Sequence, residues 1–421
     1  MNPLNNPTPV RPDAQAHRSP PPPPPLAVTP APPAPAPSAP RPQETPLSTI
    51  EQMVRDAHSA GASDVHIRVG QVPRFRIRGM MQVAISHPKV TPEIFEHYLA
   101  EMLTPELRKQ FVTAKELDTA IFYPGFVRCR VNCFESLNGG AIVLRLISLN
   151  IPTIDSLRLP EILKNIILRS QGLILVTGPT GSGKSTTVAA MIDHLNQMEQ
   201  KHIVTIEDPI EFIHPSKKCL VSQREVGLHT HEFQQALRAV LREDPDVILI
   251  GEMRDRVTIN TALQAAQTGH LVLGTLHTRS AINAINRLLN MYPPEEQQGM
   301  RIQICDSLVA VVAQLLLPTV DNRRAAVHDI LVNTPAMHDY LMKGDDDEAF
   351  RLMEHDTYEG MQIINQALYA IVLEGRVTLE EAAKASPDAS DLDRRLRTGG
   401  YDAADARGFK GSKKERSVSA R

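Results

Sequence analysis

Apolar residues first recur with a clear period near Leu47. Over residues 47–61, Ile50, Met53, Val54 and Ala57 share one face at helical spacing, which predicts an amphipathic helix. Phe75 and Ile77 then alternate with Arg74, Arg76 and Arg78, the pattern of a half-exposed strand. A helical stretch is expected from Pro92 to Phe111, and strands over Phe126–Phe134 and Ala141–Ile147. This mixture predicts a small α+β domain that ends near residue 150.

From Gly172 the pattern changes. Short apolar runs, Leu173–Thr177, His202–Ile206, Val247–Ile250 and Leu271–Leu276, alternate with helical stretches. Such alternation predicts an α/β domain with a mostly parallel sheet covered by helices. The most apolar run, Leu308 to Leu317, is about half the ~20 residues that cross a bilayer, and is expected as a buried helix. Beyond about residue 345 the chain reads as helical, over Met361–Leu373 and Leu379–Lys384. The domains expected are 47–150, 151–345 and a helical region 346–386, with tails at 1–46 and 387–421.

Composition explains the tails. Of the first 46 residues 18 are proline, and they bury too little apolar surface to offset the entropy of ordering. A disordered, partly polyproline tether is expected there, either a passive linker or a ligand for a proline-reading module. The end, from Arg407, holds six basic residues and one acid, and is also expected to be disordered. Net charge is −3, which gives no electrostatic footprint for nucleic acid, and none is expected as a partner. The four cysteines form no CxxC pair and no zinc spacing, which points to reduced thiols in a cytoplasmic protein. No signal peptide is expected.

Four motifs carry chemistry. Residues 178–185, GPTGSGKS, follow an apolar strand and open a helix. Gly178, Gly181 and Gly183 let the backbone wrap phosphates, with Pro179, Thr180, Ser182 and Thr186 completing the loop. Lys184 is placed to reach the β- and γ-phosphates of ATP, and the Ser185 hydroxyl to bind Mg²⁺. The second motif, TIEDPIEF at 205–212, crowds Glu207, Asp208 and Glu211 at a strand end, as a cation or water site or as a solvated loop. The third is DPDVILIGEMRD at 244–255. Gly251 stands where such strands usually end in Asp, and Glu252 follows. Glu252 is the candidate to polarise water or to hold Mg²⁺ through water; a buried structural glutamate is the alternative. The fourth, TGHLVLGTLHT at 268–278, puts His270 and His277 at the two ends of a strand. They either sense the γ-phosphate or are satisfied polar residues. Arg128, Arg130 and Arg145 lie on strands of the first domain and could give positive charge to a phosphate of an adjacent subunit, or form an ordinary solvated face.

In order and spacing these motifs resemble the ATPase superfamily of type II secretion and type IV pili, and within it the retraction branch of PilT and PilU. The resemblance runs from ASDVHIR at residue 62 to GMQIINQAL at residue 360, and takes in VRCRVNCF, KKCLVSQREVG and LREDPDVILIGEMRD. It implies a PAS-like domain joined to a RecA-like ATPase domain, and a homohexamer with ATP between subunits. It also implies catalytic roles for Glu211, Glu252, His270 and His277, and γ-phosphate contacts from Arg130 and Arg145. The partners implied are an inner-membrane pilus platform protein and a paralogous ATPase, so that the protein works at the inner membrane without crossing it. Assembly-type relatives commonly carry four zinc cysteines after the histidine motif, whereas residues 278–345 hold only Cys305, which favours retraction over assembly or secretion. An accessory role like that of PilU is the alternative. Where retraction ATPases often carry an arginine-bearing AIRNLIRE-like run, residues 336–344 read AMHDYLMKG.

Overall fold

Threonine caps set the helices of the first domain. The computed structural model describes residues 49–355 and 359–399. The Thr49 side chain accepts from the Gln52 amide and opens α1 (Ile50–Ser59), whose buried face is Ile50, Met53, Val54 and Ala57. β1 (Ala62–Arg68), β2 (Arg74–Ile77) and β3 (Met80–Val83) follow. The helical stretch expected from Pro92 to Phe111 is two helices, α2 (Pro92–Met102) and α3 (Pro105–Ala114). Pro105 has no N–H to continue a helix, and Thr104 before it accepts from the Leu107 amide as a new cap. β4 (Glu116–Tyr123), β5 (Val127–Ser136) and β6 (Gly139–Ser148) complete a six-stranded antiparallel sheet in the order β3-β2-β1-β6-β5-β4. Its apolar face packs on the helices through Val65, Tyr98, Phe111, Cys129 and Cys133.

The second part alternates strand and helix. α4 (Ile162–Ile166) and β7 (Gly172–Thr177) lead into α5 (Lys184–Met198). β8 (His202–Glu207), β9 (Leu220–Glu225), α6 (Phe233–Val240), β10 (Val247–Ile250), α7 (Arg256–Gln267) and β11 (Leu271–Leu276) follow. Then come α8 (Ala281–Leu289), α9 (Pro294–Ser307), β12 (Leu308–Pro318) and β13 (Arg324–Val332). The sheet is seven-stranded, in the order β13-β12-β7-β11-β10-β8-β9, and parallel except for β13. This is the RecA-like α/β domain after a small α+β domain, as expected.

Two expectations are corrected. The apolar run Leu308–Leu317 is not a helix but strand β12, paired to β7 on one side and β13 on the other. A strand covered on both faces shows a continuous apolar run with no period, and the β-branched Val309, Val311 and Val312 favour the extended form. The second correction concerns the C-terminal end. α10 (Pro335–Lys343), α11 (Asp346–His355), α12 (Ile364–Leu373) and α13 (Leu379–Ala385) are joined by α14 (Ala389–Thr398), inside the stretch expected as a tail. Leu392 and Leu396 of α14 are buried on one face, and Arg395 bonds Asp391 and Glu354. The expectations for 1–46 and for 400–421 lie outside the described residues. The four cysteines are all buried, none in a disulfide. Among the described residues no helix is long and apolar enough to cross a membrane.

Candidate nucleotide site

The candidate site lies at the C-terminal ends of β7, β8, β10 and β11, where an open parallel sheet binds ligands. β7 ends in the loop Gly178–Gly183, and α5 begins at Lys184. Gly178 has φ +148°, and a Cβ there would lie 2.3 Å from the Gln314 carbonyl oxygen. Gly183 has φ +86°, and a Cβ there would lie 2.9 Å from Gln314 Nε2. Both glycines are thus required by backbone and by space. The first amides of α5 have no partners within the helix and carry its positive end. Lys184 Nζ donates to the carbonyls of Gly178 at 2.8 Å and Pro179 at 3.1 Å. Burial pushes its pKa below the usual lysine range, while Glu252 and Glu211 act in the opposite sense.

A cleft of about 670 Å³ opens over this loop. Thr180, Gly181, Gly183, Lys184, Ser185 and Thr186 line it from below. Glu207, Asp208 and Glu211 line it from the segment after β8, where the Asp208–Pro209 bond is cis. Glu207 does not stand free in the acidic cluster. It accepts from Thr205 Oγ1 at 2.6 Å and Gln223 Nε2 at 3.1 Å, and burial raises its pKa.

Glu252 enters the cleft from the end of β10. Gly251 precedes it because a Cβ at that position would lie 3.0 Å from the Ile206 carbonyl oxygen. Glu252 Oε2 accepts from Arg254 Nη2 at 2.7 Å, and Oε1 lies 3.2 Å from His277 Nε2. The Arg254 hydrogen bond, more than any other contact, holds the Glu252 carboxyl below the usual carboxylate range. Glu252 and His277 therefore meet at one point of the cleft, with Glu252 ionised at neutral pH.

His270 is elsewhere. β11 runs parallel to β7, with Leu271 opposite Gly172 and Leu276 opposite Thr177. His277 follows the loop end of that strand and His270 precedes the far end, about 20 Å away at strand rise. His270 Nδ1 lies 2.9 Å from the Ala265 carbonyl oxygen, the contact of a satisfied polar residue closing a turn. Arg130 and Arg145 are opposite each other on β5 and β6, and neither lines the cleft of its own chain. Arg145 Nε instead donates to Asp64 Oδ1 at 2.9 Å.

Several residues of the site carry little or no local signal in the sequence. Arg254 sits two positions after Glu252 within residues 244–255, and that spacing is its one signal. Leu316 and Arg324, at the far ends of β12 and β13, form the wall beyond Gly183. Gln314 of β12 lies behind the loop, and nothing local in the sequence marks it.

The donor set fits a nucleoside triphosphate: glycine-permitted backbone, a lysine, a helix N-terminus and a carboxylate–imidazole pair in a cleft of ligand size. It also fits Mg²⁺ held jointly with phosphates. Ser185 offers a hard oxygen and Glu252 and Glu211 stand nearby, while among the described residues no group of three or more His, Cys, Asp or Glu forms a metal cage by itself.

Comparison with known proteins gives the family. The model of the family described as type II/IV secretion system protein matches residues 43–323. The chain is 41% identical to the type IV pilus retraction ATPase PilT of Pseudomonas aeruginosa over 79% of its length and 96% of that protein. It is 40% identical to the type IV pilus ATPase PilU of the same organism, over 84% of its length and 93% of that protein. It also superposes on the crystal structure of the pilus retraction motor PilT with bound ADP, with a TM-score of 0.77 at 41% identity, covering 82% of this chain and 99% of that one.

Proposed function

From a chain that belongs to the type II/IV secretion ATPase family, on its PilT and PilU side, and that hydrolyses ATP, we propose a homohexameric motor that retracts type IV pili. The observation that carries the reading is the meeting of Lys184 and Ser185 with Glu252 and His277 in one cleft at the sheet edge. Lys184 and the loop amides bind the phosphates. Glu252 takes a hydrogen bond from the attacking water and aligns it with the γ-phosphorus, and His277 holds that carboxylate in place. Mg²⁺, when bound at Ser185 together with the phosphates, offsets charge on the transferred group. Glu211, which also lines the cleft, would add negative charge favourable to the cation.

Arg130 and Arg145 have no place in their own chain's cleft, which fits the reading that they serve a neighbouring subunit's. Closing that interface on ATP and opening it on release would turn an inner-membrane platform protein and draw pilin subunits out. The protein would then work in the cytoplasm against the inner membrane, held there by its partner.

A second reading is an accessory retraction ATPase that acts beside a paralogue. Its support is the near-equal identity to PilU and the run at 336–344, which forms α10 without the arginines of the retraction-type pattern. Deleting the gene separates these readings. Loss of twitching with abundant surface pili is expected for the main motor, and retained twitching marks the accessory one. Loss of pili or of protein export would reject both in favour of assembly or secretion.

A further inference from the structure

Gln314 sits on β12, directly behind the phosphate loop, and only 2% of it is exposed. Its amide makes three side-chain contacts. Nε2 donates to the Ser182 carbonyl oxygen at 2.6 Å. Oε1 accepts from Thr187 Oγ1 at 2.6 Å and lies 3.1 Å from His328 Nε2. An amide oxygen only accepts, so His328 must carry its proton on Nε2. The Ser182 carbonyl only accepts, so the amide faces the loop with its NH₂ and leaves its oxygen to Thr187 and His328. His328 is 2% exposed and Thr187 is buried, so the amide oxygen is held in place from two independent elements, β13 and α5.

The consequence for the loop follows from peptide geometry. In a trans peptide the C=O and the next N–H point in opposite directions. Drawing the Ser182 oxygen back toward β12 therefore turns the Gly183 N–H forward, toward the cleft. Gly178 and Gly183 have no room for a Cβ because of this same Gln314, one through its backbone oxygen and one through its side-chain nitrogen.

We infer that Gln314, oriented by His328 and Thr187, is a positioning residue that fixes the phosphate loop in its anion-binding form by holding the Ser182–Gly183 peptide. It touches no substrate. Its effect is on the affinity of the loop for the phosphates, in ground state and transition state alike. Such uniform binding appears in KM and leaves kcat unchanged.

The inference rests on the cleft being the nucleotide site. Wild-type protein and Lys184→Ala test that premise separately: loss of ADP binding in Lys184→Ala upholds it, whatever the Gln314 variants do. The test of the inference is ADP affinity and steady-state ATP hydrolysis by the full chain carrying Gln314→Met, which has similar volume and no donor. A rise of about tenfold in KM for ATP and in Kd for ADP is expected, with kcat within about twofold of wild type. His328→Gln, which keeps a donor, is expected to stay within about threefold of the wild-type KM. An unchanged KM in Gln314→Met, or a fall in kcat alone as from a smaller folded fraction, overturns the inference. If Gln314→Met does not fold, Thr187→Val decides, because it removes only one donor to Oε1. A severalfold rise in KM upholds the inference and no rise rejects it.

Discussion

Arg128 of β5 donates through Nη2 to Glu225 Oε2 of β9 at 2.6 Å, and both side chains are buried. The pair ties the antiparallel sheet to the edge strand of the parallel one. The same Glu225 oxygen accepts from the Ile210 amide at 3.2 Å, one residue before Glu211. Removing one partner of a buried pair leaves a charge without compensation, which costs about 3–5 kcal/mol. Arg128→Met is expected to lose stability in that range, and Arg128→Met with Glu225→Gln to recover more than half of it. Urea unfolding of these two variants and of Glu225→Gln alone measures the coupling.

Glu252 and Lys184 are expected to separate chemistry from binding. Glu252→Gln keeps the size of the side chain and its contact with Arg254, but loses the charge that holds water. Its kcat should fall by about a hundredfold or more, with ADP affinity within a fewfold of wild type. Lys184→Ala should abolish nucleotide binding itself, as read by titration with a fluorescent ADP.

The two histidines are expected to differ. His277→Ala removes the partner of Glu252 Oε1, and kcat should fall by about tenfold. His270→Ala breaks a turn contact at the opposite end of β11, so kcat should stay within about threefold while stability drops by about 1 kcal/mol. Equal losses of kcat in the two variants would show that the far edge of the sheet takes part in catalysis.

Stability should depend on two other histidines. Burial holds His328 and His214 down to about 4, against about 6.5 in an unfolded chain. Between those values the unfolded chain binds a proton that the folded chain does not, so stability rises with pH. The contribution is fully present above pH 6.5 and lost as pH falls toward 4, about 3 kcal/mol for each group. Asp329, which burial raises to about 6, has the opposite sign and loses its contribution as pH rises through 6. The comparison that isolates His328 is the slope of Tm against pH in wild type and His328→Gln. The variant should be flatter from pH 6.5 to 4.

Much of this site was legible in the sequence because its signals are local. The loop of glycines lies between one strand and one helix, and the acids follow apolar runs of four to six residues that could only be strands. What was not legible depends on distant partners. β12 reads as a helix in sequence because an apolar run of its length carries no period when both faces are covered. Gln314 within it reads as an isolated polar residue, and its role appears only when Thr187, 127 positions earlier, is brought against it. α14 is hidden in the sequence because charged residues surround its two buried leucines, Leu392 and Leu396. His270 and His277 are close in sequence, whereas an extended strand puts its two ends farthest apart.

The buried cysteines have a practical consequence. Burial raises the thiol pKa of Cys129 and Cys133 to about 12 and of Cys305 to about 11, and raises that of Cys219 as well. With almost no thiolate and no access, these four groups should ignore maleimide reagents while the chain is folded. A single cysteine introduced on the surface would then take a dye at one known position in the otherwise natural sequence, and its fluorescence could follow the two sheets through a cycle of hydrolysis.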